Sequence, residues 1–179
     1  VYDKNLINRV KKRYKLRKTN IAFFGSDLYW YKDIGIIKMQ GIGSPHAVSV
    51  LENYIAFGGK TFLNIGFAGG LHNEGFFLCT KSLRDEGTSY HYISHRDFTF
   101  PDKNLTKNLG RTMKKLGIDF KEGISWTIDT PYRETKKEVE KYSKMGINTV
   151  EMEASALFVV AKIRKVKIAS AFVVSDILS

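Results

Sequence analysis

The sequence predicts an α/β fold: a three-layer α/β/α sandwich around a mixed, largely parallel central sheet. Two observations carry this. Short apolar runs bounded by glycine alternate with stretches of helical spacing, so strand–helix–strand recurs along the chain. Several strand-like runs, Thr61 to Ile65 and Ala169 to Val174 among them, are apolar on both faces, as in strands covered from two sides.

The elements follow in order. Residues 4–17 carry Leu6, Val10, Tyr14 and Leu16 among cations at helical spacing. Asn20 to Phe24 and Ile34 to Met39 read as strands, the second ending in Gly41-Ile42-Gly43. Ser44-Pro45 reads as an N-cap followed by proline, opening a helix to about Phe57 that Gly58-Gly59 stops. Thr61 to Ile65 is a strand running into Gly66-Phe67-Ala68-Gly69-Gly70, and Phe76 to Leu83 is the next. A helix spans Asp102 to Leu116, with Asp102 as its cap and Gly117 as its stop. Lys121 to Thr127 is strand-like, Arg133 to Met145 a polar helix, and Asn148 to Val150 a short strand leading into Glu151-Met152-Glu153. Ala154 to Arg164 is a helix with Leu157, Phe158 and Ala161 on one side, and Lys167 to Val174 is the last strand, ending at Ser175-Asp176. Polar and glycine residues therefore gather just after strand ends, where ligands of open α/β sheets bind.

At 179 residues, 43% hydrophobic and 26% charged, the chain can bury a core, and we read residues 1–179 as one domain. The start at Val1 and the stop just after an apolar strand lead us to expect further residues at one or both ends. The single cysteine, Cys79, excludes a disulfide framework and reads as a small core residue. No apolar run approaches the roughly 18 residues of a membrane span, and no secretory leader is visible. The expectation is a reduced, cytoplasmic setting. Twenty-nine Lys and Arg against 18 Asp and Glu give a net charge of +11, partly local: Arg9, Lys11, Lys12, Arg13, Lys15, Arg17 and Lys18 crowd the first helical segment. Such a stripe could bind nucleic acid, but no nucleic-acid motif accompanies it, and we read it as a solvated helix face. A positive field also draws small anions.

Four pieces could carry chemistry. In Asn64-Ile65-Gly66-Phe67-Ala68-Gly69-Gly70, glycines after a buried strand let backbone N–H groups approach an anion or a sugar, although no P-loop or dinucleotide spacing is present. In Glu151-Met152-Glu153, a carboxylate can accept hydrogen bonds from a vicinal diol such as the 2′ and 3′ hydroxyls of ribose; taken alone, the motif is better read as two first-turn acids favoured by the helix dipole. In Ser175-Asp176, a carboxyl after the last strand would be partly desolvated, which suits a general acid; a helix cap is the plainer use. Arg84 to Tyr92 is dense in hydrogen-bonding groups. A metal reading from Asp85, Glu86, His91 and His95 would need a helix that this stretch does not suggest, so we expect no metal.

Together these pieces resemble the nucleoside phosphorylase family: hexameric-type purine nucleoside phosphorylase, uridine phosphorylase and the methylthioadenosine/adenosylhomocysteine nucleosidases. The match runs from about Ile34 onward through Gly41-Ile42-Gly43-Ser44-Pro45, Asn64 to Gly70, Asp85-Glu86-Gly87-Thr88-Ser89, Ile128-Asp129-Thr130-Pro131-Tyr132, Glu151-Met152-Glu153 and Ser175-Asp176. The resemblance implies cleavage of the N-glycosidic bond of a nucleoside by inorganic phosphate, without further cofactor. Glu153 would bind the ribose hydroxyls, with Met152 packing on the sugar and Glu151 in support. Gly66, Phe67, Ala68 and Gly69 would line the phosphate or nucleophile position. Asp176 would protonate or hydrogen-bond the leaving base, its presence favouring a purine, while Pro131 and Tyr132 pack on that base. It also implies a homo-oligomer, a dimer or a trimer of dimers.

The sequence departs from the family's phosphorylases at several points. Asn64 stands in place of an arginine and Phe67 in place of a small hydroxyl residue, both on the phosphate. The amino-terminal Gly-Asp-Pro-x-Arg turn has only Val1-Tyr2-Asp3-Lys4-Asn5-Leu6 as counterpart, without the arginine. Pro131 replaces a stacking aromatic, and the helix that usually follows Asp176 is not in this sequence. The Asn-x-Gly-x-Ala-Gly-Gly-Leu form is closer to the hydrolytic nucleosidases. Hydrolysis by water, or nucleoside binding without catalysis, are therefore the alternatives.

Overall fold

The computed structural model describes residues 4–178. Val1, Tyr2 and Asp3, half of the segment set against the family's phosphate-binding turn, lie outside them. The elements run α1 (Lys4–Tyr14), β1 (Arg17–Phe23), β2 (Ser26–Tyr31), β3 (Ile34–Lys38), α2 (Ser44–Ala56), β4 (Thr61–Gly70), β5 (Phe76–Asp85), β6 (Phe98–Thr99), α3 (Lys103–Lys115), β7 (Phe120–Ile128), α4 (Lys136–Lys144), β8 (Ile147–Glu151), α5 (Ala154–Ile163) and β9 (Lys167–Ile177), with 3-10 turns at Thr88–His91 and Pro131–Arg133. Among the described residues no helix is long and apolar enough to cross a membrane.

The expected α/β fold with a mixed central sheet is present. Six strands lie in the order β6-β5-β7-β8-β4-β9. The long pairings β4–β9, β5–β7 and β7–β8 are parallel, whereas β4–β8, β5–β6 and β5–β9 are short and antiparallel. The pairing of Phe76–Cys79 with Ser170–Val173 joins β5 to β9 and rolls the sheet onto itself. Alternation puts Ala171 with Leu78 and Met113 of α3, and Phe172 with Val48 and Leu51 of α2 and Leu157 and Phe158 of α5. Trp126 and Tyr142 pack α4 on β7. Helix α5 is not apolar on one side only, as its sequence suggested: every residue from Ala154 to Ala161 is buried, because α2 covers the face turned from the sheet.

Three sequence expectations need correction. Strand β2 was not foreseen; with β1 and β3 it forms a separate antiparallel sheet, its first turn made by Phe24 and Gly25, both at positive φ (49° and 76°) as a two-residue hairpin requires. Ser44 does not cap α2. Gly43 holds that position, and the Ser44 hydroxyl donates instead to the Met152 carbonyl (2.7 Å). The segments Gly66–Gly70 and Ser175-Asp176 do not follow their strands but continue them, pairing in β4 and β9. By contrast Asp102 caps α3 as read, accepting from the Leu105 N–H (2.7 Å), and Thr135 with Glu138 closes a capping box that starts α4 later than Arg133. Cys79 is buried in the core, where burial pushes its thiol well up, so it stays protonated.

Gly70 shows why the glycine run survives inside a strand. A Cβ there would sit 2.5 Å from the Asn73 carbonyl oxygen, 2.8 Å from Ile177 and 2.9 Å from Val174. The glycine lets β4, β9 and the following turn close on one another. Gly70→Ala should therefore lower stability by about 1–3 kcal/mol, measured as a fall in the urea midpoint at unchanged slope; an unaltered midpoint would refute this packing role.

Candidate active site

The ends of β4, β8 and β9 meet at a cavity of about 400 Å³. Gly69 pairs with Val150 of β8 on one side and with Asp176 of β9 on the other. Ser175 is an extra residue in β9: Ala68 faces Val174, but Gly69 faces Asp176, so the bulge turns the Asp176 side chain to the cavity end. Gly66, Phe67, Ala68, Gly69, Pro131, Glu151, Met152, Glu153 and Asp176 all line this one space, together with Asn64.

Two of the anticipated residues behave otherwise. Tyr132 is fully exposed and outside the lining, because the 3-10 turn directs Pro131 inward and the next side chain out. Asp176 was expected to be partly desolvated, yet it is exposed, with the Ser175 hydroxyl donating to its Oδ1 (2.6 Å). The stretch around His91 contains a 3-10 turn, which the sequence did not suggest. Among the described residues no group of three His, Cys, Asp or Glu side chains could hold a metal.

Glu151 is the final residue of β8, not a first-turn acid of α5. Its Oε2 accepts the backbone N–H of Glu153 (2.9 Å) and of Ala154 (2.7 Å); its Oε1 accepts the hydroxyls of Thr127 (2.5 Å) and Ser125 (3.2 Å). It thus supplies the cap that α5 lacks at Glu153. Glu153 is 8% exposed, and its Oε1 accepts the Gly43 N–H (2.6 Å). Gly43 has φ +90°, a region glycine enters without strain, and that turn aims its amide at the carboxylate.

Burial, and then the charge of Glu153, push Glu151 up to about 7, against the pull of the Thr127 hydroxyl and the two backbone N–H groups. Burial also raises Glu153, with the Gly43 amide pulling it back. A fourth carboxyl, Glu134, borders the cavity beyond the Pro131 turn; burial raises it first and the charge of Asp176 second. The sequence reading missed Glu134, whose only signal was an acid three residues after Pro131. It also gave Gly43 no role, although Gly41-Ile42-Gly43 was singled out. Among the described residues lining the cavity there are four carboxyls and no lysine, arginine or histidine.

The raised pair has a consequence for stability. Between the ordinary glutamate value of 4.5 and about 7, folded Glu151 keeps a proton that the unfolded chain has released. Its contribution is therefore full below about pH 4.5 and is lost as pH rises through about 7. Glu153→Gln keeps an acceptor for Gly43 but removes the neighbouring charge, so the fall in urea midpoint between about pH 5 and about pH 8 should be smaller than in the wild type. An equal fall would show that the two carboxyls do not interact.

Comparison with known proteins bears on the family and the fold. The family description that matches, over residues 30–179, is the phosphorylase superfamily. Guanosine phosphorylase of Halorubrum lacusprofundi is 26% identical over 155 residues, covering 84% of this chain and 61% of its own length. Uridine phosphorylase of Escherichia coli is 29% identical over 140 residues, covering 68% of this chain and 55% of its own length. The chain thus spans a little over half the length of these curated relatives. Among solved structures, AMP nucleosidase from Bacteroides thetaiotaomicron superposes with a TM-score of 0.86 at 18% identity, over 98% of this chain and 78% of that one. The P. knowlesi homologue of P. falciparum PNP gives 0.83 at 23%, over 98% and 75%. A glycine-lined strand pair, an acid pair at the mouth of a buried helix and a family match over most of its length lead to one conclusion: this chain belongs to the phosphorylase superfamily.

Proposed function

We propose that this domain cleaves the N-glycosidic bond of a ribonucleoside, with a purine as the leaving base. The observation that carries this is the shared cavity of Glu153 and Asp176. Cleavage builds positive charge on the sugar and negative charge on the base, so a site needs carboxylate near the one and a hydrogen-bond donor or acid near the other. Glu153, oriented by the Gly43 amide, grips the ribose hydroxyls, Met152 packs on the sugar, and Glu151 holds both in place. Asp176 faces the base, with Pro131 beside it. Glu134, held above the usual carboxyl range by burial and by the charge of Asp176, borders the same cavity and offers a proton for the departing ring.

The nucleophile follows from charge. A phosphate dianion brought into the lining described above meets carboxylates and no cation, and Asn64 and Phe67 occupy the positions at which the family's phosphorylases hold it. Water, a neutral nucleophile, suits that lining better, so hydrolysis is our first reading. Phosphorolysis with inorganic phosphate is the second, favoured by the similarity to guanosine and uridine phosphorylases; it requires cations from beyond the described lining. Self-association into dimers or a trimer of dimers is proposed from the family resemblance, and the uncovered apolar row Leu63, Ile65 and Phe67 on β4 supports it.

The test is release of free base from inosine, adenosine and methylthioadenosine with and without phosphate. Equal release in both conditions is expected; release only with phosphate would overturn the hydrolytic reading, and none in either would overturn cleavage altogether. Asp176→Asn should lower kcat by about 10²–10⁴-fold with little change in fold.

A further inference from the structure

Two buried side chains, Arg84 and Glu86, take no part in the chemistry above. Arg84 is 5% exposed and Glu86 4%. Burying such polar groups is costly unless their donors and acceptors are met. Arg84 satisfies its guanidinium on the carbonyls of Ile93 (2.6 Å), His95 (2.8 Å) and Arg96 (2.9 Å), and its Nε–H donates to the Ser89 hydroxyl (2.7 Å). Ser89 passes the link on: its hydroxyl donates to Glu86 Oε1, and its backbone N–H to Oε2 (2.8 Å). Glu86 Oε1 then accepts the hydroxyl of Ser155 (2.8 Å), in the first turn of α5. The chain of bonds ends one turn from the carboxylate of Glu153.

Other bonds reach that turn from the sheet and from the start of α2, where the Gly43 N–H donates to the Glu153 carboxylate and the Ser44 hydroxyl to the Met152 carbonyl. Glu151 and Thr127, on β8 and β7, take the N–H groups of Glu153, Ala154 and Ser155. Among the described residues, the bond from the loop after β5 to this turn is the one between Glu86 and Ser155. Held by the sheet and by α2, the helix end can still tilt along the direction of the loop; the added bond opposes that tilt. The geometry points to Glu86 and Ser155 as positioning residues that fix the ribose carboxylate, with Arg84 and Ser89 as their anchor. This rests on the reading of Glu153 as the group that binds the ribose hydroxyls.

Ser155→Ala in the full chain tests it, because it removes one hydroxyl and leaves every backbone bond in place. Expected is a fall of about tenfold in kcat/KM for a ribonucleoside, with the 2′,3′-dideoxyribonucleoside, which offers Glu153 nothing to grip, turned over as by the wild type. Glu86→Gln, equal in length but presenting an amide to its donors, should produce the same selective loss. An equal loss on both substrates, or none on either, overturns the positioning role. Hydrogen exchange of the Gly43 amide gives a readout free of activity: Ser155→Ala should speed it, since that amide bonds Glu153. If the wild type cleaves nothing, the functional reading fails on its own, and unchanged Gly43 protection would separately overturn the positioning proposal.

Discussion

A single buried carboxylate, that of Glu151, sets the geometry on which the site depends. It joins the last residue of β8 to the open end of α5 and ties both to β7 through Thr127 and Ser125. Three elements of the fold are thereby locked at one point, and the neighbouring Glu153 is left to face the cavity. A buried carboxyl group that meets four donor groups is rigid because each bond it lost would leave an unsatisfied group in a low-dielectric interior. The same saturation explains why α5 is closed as an anion site. The N–H groups that would greet a phosphate at its start are already taken by Glu151 and Thr127.

The chain is strongly basic overall, yet its cavity is acidic. The cations crowd the surface, α1 and β1 in particular, while the carboxyls are gathered at the convergence of β4, β8 and β9. A positive exterior brings anions near by long-range attraction; the interior favours neutral or developing positive charge. This separation of outer and inner fields is what an N-glycosidic cleavage through a cationic sugar would use.

Much of the fold was legible because its signals were local and unopposed. Asp102 before an amphipathic run, and the apolar strands, named their elements directly. The hairpin sheet was missed because Phe24 occupies a positive-φ turn position that a sequence rule assigns to glycine or asparagine. The glycines of β4 were read as a loop because glycine weakens strands in general, whereas here it is required by close packing that only the fold reveals. At the site, Glu151, Glu153 and Asp176 were picked out by family resemblance, since their residue types alone read more plainly as helix-end acids and a cap, and the structure brings the three to one cavity. Glu134 and Gly43 could not be found in this way: one is an ordinary acid brought in by a turn, and the other acts through its backbone.

The bulge at Ser175 makes part of the site a matter of parity rather than composition. In a regular strand Ser175 would stand beside Gly69, and the carboxyl of Asp176 would lie on the opposite face of the sheet. One surplus residue inverts that order. Taking Ser175 out of the chain would let Asp176 follow Val174 directly and still face Gly69, so the acid would lose the hydroxyl that donates to it and not its side of the sheet.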